Sequence, residues 1–405
     1  VKAAHGDEAP LVVDPFAGGG SIPLEALRLG CDVFASDLNP VACQILQMLL
    51  EDLPRTGLDL VEKLRDAGAK VRSAVETRLS GLYPFDHGNS QPLAYIWART
   101  VICDSCGAEI PLVRSFWLCS KTNRKRALRF KVIRNDGKPP YLTFDVFEPT
   151  SDTDVPNRTV SRVKASCLCC QNVLSAERVR AQLSAQHGGA NPTFDRDGNR
   201  TGGALLLAVV TLDTSNSGRQ YRAPVSRDYE AVYGAKKRLD EMEGKMLDTD
   251  VLLIPDEDIP RTELRRISLP LYGVDKFRQM FTYRQLVTLA TLATTIRELS
   301  GQDEPVNRLL TFALDKTADL NNANTPWKPD AECPVHTLAR HDIPMAWDFA
   351  EAFPLGDASG SFFSAYERTA DAVPSGYCEG AHAATTQRAD ACASAITQNR
   401  PLSIT

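Results

Sequence analysis

The chain has 405 residues, 46 Lys and Arg against 51 Asp and Glu for a net charge of −5, and 43% hydrophobic residues. That is apolar material for more than one core, and the mildly acidic balance confines any nucleic-acid contact to a local basic patch. The most apolar run, Gly203 to Leu212, is about half the length a membrane helix needs; no apolar leader opens the chain, and its eleven cysteines are scattered with several in close pairs. No membrane partner, no disulfide framework and a cytoplasmic location are therefore expected.

In chain order, Leu11 to Val13 read as a strand, Asp14-Pro15-Phe16-Ala17-Gly18-Gly19-Gly20-Ser21 as an irregular loop, and Ile22 to Leu29 as a helix closed by Gly30. A second strand from Asp32 ends at Asp37, and Asn39-Pro40 starts a helix to about Leu50. This β-α-β-α opening predicts an α/β fold with a parallel sheet. Leu60, Leu64, Ala67, Val71, Val75 and Leu79 form one apolar helical stripe. From Leu93 to about Pro224 the pattern changes to short strands, turns and Cys pairs, the mark of an insert; helical patterning returns at 226–243, 282–299 and 304–320. Asn321, Asn322 and Asn324 with Trp327 read as a loop after a helix.

Three glycines between a strand and a helix let a ligand approach the backbone, and the N–H groups of a helix start favour an anionic group. Asp37 follows Gly20 by 17 residues, where a carboxylate can accept the hydroxyls of a ribose. An adenosine-containing cofactor is expected. A nicotinamide dinucleotide fits less well, because Pro23 stands where its fingerprint needs a third glycine.

Cys103-Asp104-Ser105-Cys106-Gly107 and Cys167-Leu168-Cys169-Cys170 supply two thiolate pairs whose four sulfurs would close a tetrahedral, structural zinc site on Cys103, Cys106, Cys167 and Cys170, with Cys169 an alternative to Cys170. Between the pairs, Lys121, Arg124, Lys125, Arg126, Arg129, Lys131 and Arg134 place seven cations and no acid in fourteen residues, a candidate phosphate-binding strand with Phe116, Trp117 and Phe130 nearby for stacking.

The loop Asp14 to Ser21 followed by Asp37-Leu38-Asn39-Pro40 resembles the S-adenosylmethionine motif of amino-directed DNA methyltransferases. More narrowly, the chain resembles the adenine-specific DNA methylases that carry a zinc ribbon and a domain of unknown function numbered 1156, with the Cys pairs, Ala176-Glu177-Arg178, Tyr272-Gly273 and Pro344-Met345-Ala346-Trp347-Asp348-Phe349 in the family's order. The resemblance implies that Asp14, Phe16, Ala17, Gly18, Gly19, Gly20, Asp37 and Leu38 hold the cofactor, and that Asp390 accepts from its adenine amine. It implies adenine-N6 methylation of DNA in a restriction-modification or phage-defence setting, where other subunits of a defence system are candidate partners.

The expected organisation is an incomplete Rossmann-like core: its first half at 1–55, a helical connection at 56–92, a β-rich zinc-ribbon insert for target recognition at 93–225, a helical region at 226–374, and a return to the core at 375–405. The family's catalytic Asp-Pro-Pro-Tyr loop is not found within the chain; Pro139-Pro140-Tyr141 lacks the acid and reads as a turn between strands, and Leu402 to Thr405 reads as the strand leading into the missing loop. No catalytic residue is therefore assigned, and the chain alone is expected to be inactive. The alternatives are a zinc-ribbon nucleic-acid-binding protein with a vestigial cofactor fold, or an RNA methyltransferase.

Overall fold

Val33, Phe34, Ala35 and Ser36 are buried in succession, the pattern of a strand covered on both faces. In a computed structural model their strand, Asp32–Asp37, is the centre of a three-stranded parallel sheet between Leu11–Asp14 and Thr385–Arg388. The structure describes residues 2–6, 8–86, 90–212, 218–248, 250–300, 303–339, 342–378, 380 and 383–390; Leu402 to Thr405 lie outside them. It divides into two compact units, one from the first 73 residues, Thr295–Ala313 and the segment from Tyr366, the other from Ala74–Thr294 and Leu314–Ala365.

In the first unit, Val12, Ala26, Leu27, Val33, Ala35 and Leu46 share one core. Helix Ser21–Arg28 follows the first strand, and Gly30, at φ 80°, turns the chain back. Helix Pro40–Gln47 starts on an Asn39 side-chain cap. Expected to stop near Leu50, it instead continues through a π-helical turn, Met48–Asp52, into Leu53–Thr56. Two acids, Glu51 and Asp52, lie on this wider turn. Glu51 accepts the Thr386 N–H at 2.7 Å, securing the third strand, and Asp52 bonds Arg308. The stripe of helix Asp59–Arg78 is buried at Leu60, Leu64, Val71, Val75 and Leu79; at Gly68 a Cβ would sit 2.5 Å from the Tyr366 ring, so that close approach requires glycine. The described residues thus contain a three-stranded parallel sheet with these helices, and the chain as a whole mixes helices with several small sheets.

In the second unit the apolar run 203–212 becomes strand Leu205–Leu212, paired antiparallel to Gln91–Ala98 in a four-stranded sheet with Arg219–Arg222 and Asp348–Ala352 at its edges. The segment read as helical from 226 thus contributes a strand to the sheet of the insert. Its helices form at Ser226–Met242, Tyr283–Ser300 and Glu304–Leu320, close to the expected bounds.

Charges are buried beside that sheet. Glu351 accepts two bonds from Arg284, at 2.9 and 2.7 Å, one from Trp97 Nε1 at 2.8 Å and one from Thr282 at 3.0 Å. The Arg284 guanidinium lies 3.9 Å from the Tyr95 ring centroid. Fully buried Arg99 meets no acid among the described residues: it donates to the carbonyls of Ala346 at 2.7 Å, Gly188 at 2.6 Å and Ala323 at 2.9 Å, and to Asn324 Oδ1 at 3.1 Å. Burial pulls its pKa down to about 9, so it remains charged at neutral pH. The asparagine loop after helix Glu304–Leu320 is buried and structural, Asn321 bonding both Gln285 and the backbone of Ala352.

Removing one partner of a buried ion pair strands the other, so Glu351→Ala should cost about 3–5 kcal/mol. Replacing Glu148, whose pair with Arg126 is half exposed, should cost less than about 1 kcal/mol. Denaturant titrations of the two variants, followed by tryptophan fluorescence, check the contrast.

Candidate functional site

The carboxyl ends of three parallel strands share one sheet edge, so the loops leaving Asp14, Asp37 and Arg388 gather there. The glycine loop is folded largely by its own hydrogen bonds. Asp14 Oδ1 accepts the Phe16 N–H at 3.1 Å, Ala17 N–H donates to Ser36 O at 3.1 Å, and Gly20 N–H to Ala17 O at 2.8 Å. Gly18 and Gly20 have φ of 52° and 80°, which side chains rarely adopt. A Cβ at Gly18 or Gly19 would meet nothing within 4 Å, so the backbone there faces open space, whereas at Gly20 it would touch Leu46 at 3.0 Å.

Asp37 ties the second strand to this loop. One carboxylate oxygen accepts the Gly18 N–H at 2.9 Å and the other the Asn39 N–H at 2.8 Å. These donors, Asn39 first and Gly18 next, hold its carboxyl below the usual range. Each oxygen keeps a lone pair for a further donor. The expectation that helix-start N–H groups would await an anion is therefore only partly met, because Gly18 N–H already has an anion in Asp37. Phe16 and Leu38 are exposed, 78% and 65%, and offer apolar surface on the two loops. The Ala389 N–H donates to Asp37 O at 3.1 Å, and exposed Asp390 follows directly. Open backbone, an ionised acceptor with spare lone pairs and apolar side chains make a surface able to receive a hydroxyl-bearing, partly apolar cofactor.

The four cysteines named from spacing converge: the Sγ atoms of Cys103, Cys106, Cys167 and Cys170 all lie within 4.8 Å of one another. Cys103 to Cys170 is 3.6 Å and Cys106 to Cys167 is 3.7 Å, close to the edge of a tetrahedron with metal–sulfur bonds of about 2.3 Å. The two turns are alike. Gly107 N–H donates to Cys103 O at 2.9 Å and Gln171 N–H to Cys167 O at 3.0 Å; Cys103 N–H donates to Ala108 O and Cys167 N–H to Asn172 O, each at 2.8 Å. Gly107 and Gln171 have φ of 71° and 65°, so Gln171 adopts the left-handed conformation that glycine takes in the first turn.

This repetition distinguishes the fourth ligand, because Cys170 ends the second turn while Cys169 is buried outside the cluster with its carbonyl accepting from Arg134 at 2.7 Å. Burial raises the pKa of Cys103, but backbone N–H groups of Cys106 and Ser105 outweigh it and bring the thiol to about 7. Such a site could hold one metal ion with a closed sulfur shell. The Pro139-Pro140-Tyr141 stretch is the turn region between strands Arg126–Ile133 and Tyr141–Phe147, and Pro139 packs against Gly107, within 3.2 Å of where a Cβ would be.

The basic strand is not a bare cationic surface. Lys125 pairs with Asp152 and Arg126 with Glu148 at 2.9 Å each; Arg129 and Lys131 flank Asp145 at 3.9 and 4.0 Å. Lys121 at 2.7 Å, Arg124 at 2.5 Å and Arg219 at 3.9 Å surround Glu332, whose other oxygen accepts from Tyr221 at 2.6 Å. Asp145 stands opposite Arg129 in the antiparallel register, a pairing readable in the sequence once the hairpin turn at Pro139 is accepted. No local pattern marks Glu332, which joins from about 200 residues downstream. Burial would raise its pKa, but hydrogen bonds from Lys121, Tyr221 and Arg124 drive it down to about 2.

Residues 3–76, which contain the glycine loop and Asp37 but none of the four clustered cysteines, match the family model of D12 class N6 adenine-specific DNA methyltransferases. No curated protein and no solved structure matches the chain. Among the described residues no helix is long and apolar enough to cross a membrane.

The sulfur geometry predicts that Cys169→Ala keeps one equivalent of bound Co(II), read from thiolate charge-transfer absorbance. Cys170→Ala should lose more than the about 10–100-fold cost of removing a ligand's hydrogen-bonded partner. For Glu332 the folded pKa is depressed, so its stabilisation is present above the unfolded value of about 4.3 and is lost as the pH falls toward about 2. Acid titration of stability should show that loss in the parent chain and its flattening in Glu332→Gln.

Proposed function

We propose that the chain is an S-adenosylmethionine-dependent methyltransferase directed at adenine N6 in DNA, with a Rossmann-like first unit and a structural zinc ion on Cys103, Cys106, Cys167 and Cys170. The observation that carries the cofactor reading is the junction of open backbone at Gly18 and Gly19 with the ionised Asp37 carboxylate. The family match over residues 3–76 spans that junction and supports the acceptor class. The restriction-modification or phage-defence setting rests on the sequence resemblance alone.

When bound, S-adenosylmethionine supplies an electrophilic methyl group. The residues that would hold it divide the work by chemistry. Gly18 and Gly19 would let its amino-acid end lie against the backbone, Asp37 would accept the ribose hydroxyls, Phe16 and Leu38 would cover apolar parts, and Asp390 would accept from the adenine amine. Asp37 suits its task because it is already oriented by Gly18 and Asn39, which spares the cost of ordering a free side chain on binding. The zinc ion, with four thiolates and no open position, would act on structure alone.

Two charge-assisted hydrogen bonds are worth about 1.5–3 kcal/mol each before water compensates. Asp37→Ala should therefore weaken S-adenosylmethionine at least about tenfold in calorimetric titration; unchanged affinity would refute the assignment. The depressed pKa fixes the sign of the pH response. Asp37 stays ionised well below neutrality, so its contribution should hold constant from about pH 8 to pH 5, above the usual carboxylate value of about 3.9.

A further inference from the structure

A cavity of about 350 Å³ lies wholly within the second unit, walled by Trp117, Trp327, Ile96, Leu128, Leu207 and Pro326. Its size is at the small end of ligand sites, which run from about 300 to 1,000 Å³, and suits one heteroaromatic ring system. Trp327 is fixed by donation from Nε1 to Leu118 O at 2.7 Å, while Trp117 is half-buried. Asp348, Arg114, Ser115 and Lys328 add polar groups to the lining. The Asp348 side chain is nine-tenths buried. Its Oδ1 accepts from Arg114 N and Nε at 3.1 and 2.8 Å, but among the described residues Oδ2 has only a long 3.5 Å contact to Arg114 Nη2. A carboxylate oxygen with spare lone pairs therefore lines an aromatic, apolar cavity.

Positive charge adjoins it. Lys125 Nζ, which also pairs with exposed Asp152 at 2.9 Å, sits 5.6 Å from the centroid of the Trp117 ring. Strand Trp117–Cys119 runs directly into the Lys121 to Arg124 turn, where three cations, Lys121, Arg124 and Arg219, surround the single Glu332 carboxylate. Among the described residues the buried Arg124 Nε has no hydrogen-bond partner.

We propose that this cavity is a subsite for one unpaired nucleotide of a DNA strand: its base enters between the tryptophans with an amino edge toward Asp348 Oδ2, and its phosphate lies toward Lys125 and the 121–124 turn. Aromatic walls take the π-face of a base. A carboxylate accepts from the amino groups of adenine, cytosine or guanine and finds no such amino group on thymine. The site uses none of the cofactor residues and goes beyond the methyltransferase reading.

The test is fluorescence anisotropy of the full chain with labelled duplexes, without S-adenosylmethionine, comparing one bulged adenine, one bulged thymine and full pairing. The bulged adenine should bind tightest. Trp117→Ala should cut its advantage over the paired duplex about tenfold, as expected for one lost base–aromatic stack; Trp117→Phe should keep most of it, and Ser115→Phe, a plug at an exposed position that gives up only a 3.3 Å bond from the Trp117 N–H, should remove it. Equal binding of bulged and paired duplexes, an advantage unchanged in both Trp117→Ala and Ser115→Phe, or a Trp117-dependent preference for the same bulge in RNA would overturn the proposal. Calorimetry with S-adenosylmethionine on the same variants should be unchanged, so failure here is distinguishable from failure at Asp37.

Discussion

One buried cation, Arg99, ties together distant segments of the second unit. Arg99 follows strand Gln91–Ala98 and donates to backbone at Gly188, Ala323 and Ala346, three segments with no proximity in sequence. Its own backbone is also engaged, its N–H with Trp347 O at 2.9 Å and its carbonyl with Leu112 N–H at 2.8 Å. Each carbonyl it satisfies would be a buried orphan without it, and with no acid nearby among the described residues the charge is tolerated because those dipoles converge. Both features of functional interest in this unit depend on it through the chain: Cys103 lies four residues after Arg99, and Asp348 follows the Trp347 that Arg99 holds.

Features governed by local chemistry were legible in the sequence. A strand, a glycine loop and a carboxylate at the next strand end are encoded within forty residues, and cysteine spacing alone named four sulfurs that converge. Choosing Cys170 over Cys169 needed the structure, because the decision lies in backbone hydrogen bonds that repeat those of the first turn. Arg99, Arg284 and Glu351 were not legible. In a sequence a charged residue reads as solvated surface, and its burial is decided by partners from distant segments.

The basic strand shows how counting charges in one stretch can mislead. Seven cations in a row of fourteen residues imply an anion-binding surface, yet four acids from the facing strand, a short helical turn and a remote loop meet most of them. Around the Lys121 to Arg124 turn the acids are outnumbered, three cations sharing the Glu332 carboxylate. Pro139 at the far end of the hairpin rests on the first cysteine turn, so the cysteine cluster also constrains how this hairpin is presented.

The parallel sheet of the first unit carries a consequence for synthesis. Phe34 pairs with Thr385, so the third strand must find a partner made roughly 350 residues earlier. Loop-closure entropy grows only slowly with length, about 0.6 kcal/mol per doubling, and the finished sheet bears that easily. Time is the harsher constraint. At about 5–20 residues per second, the first two strands wait on the order of 20–70 s with the edge of Asp32–Asp37 unpaired and apolar surface uncovered. During that interval the whole of the second unit is made, while the waiting edge stays open to pairing with another chain.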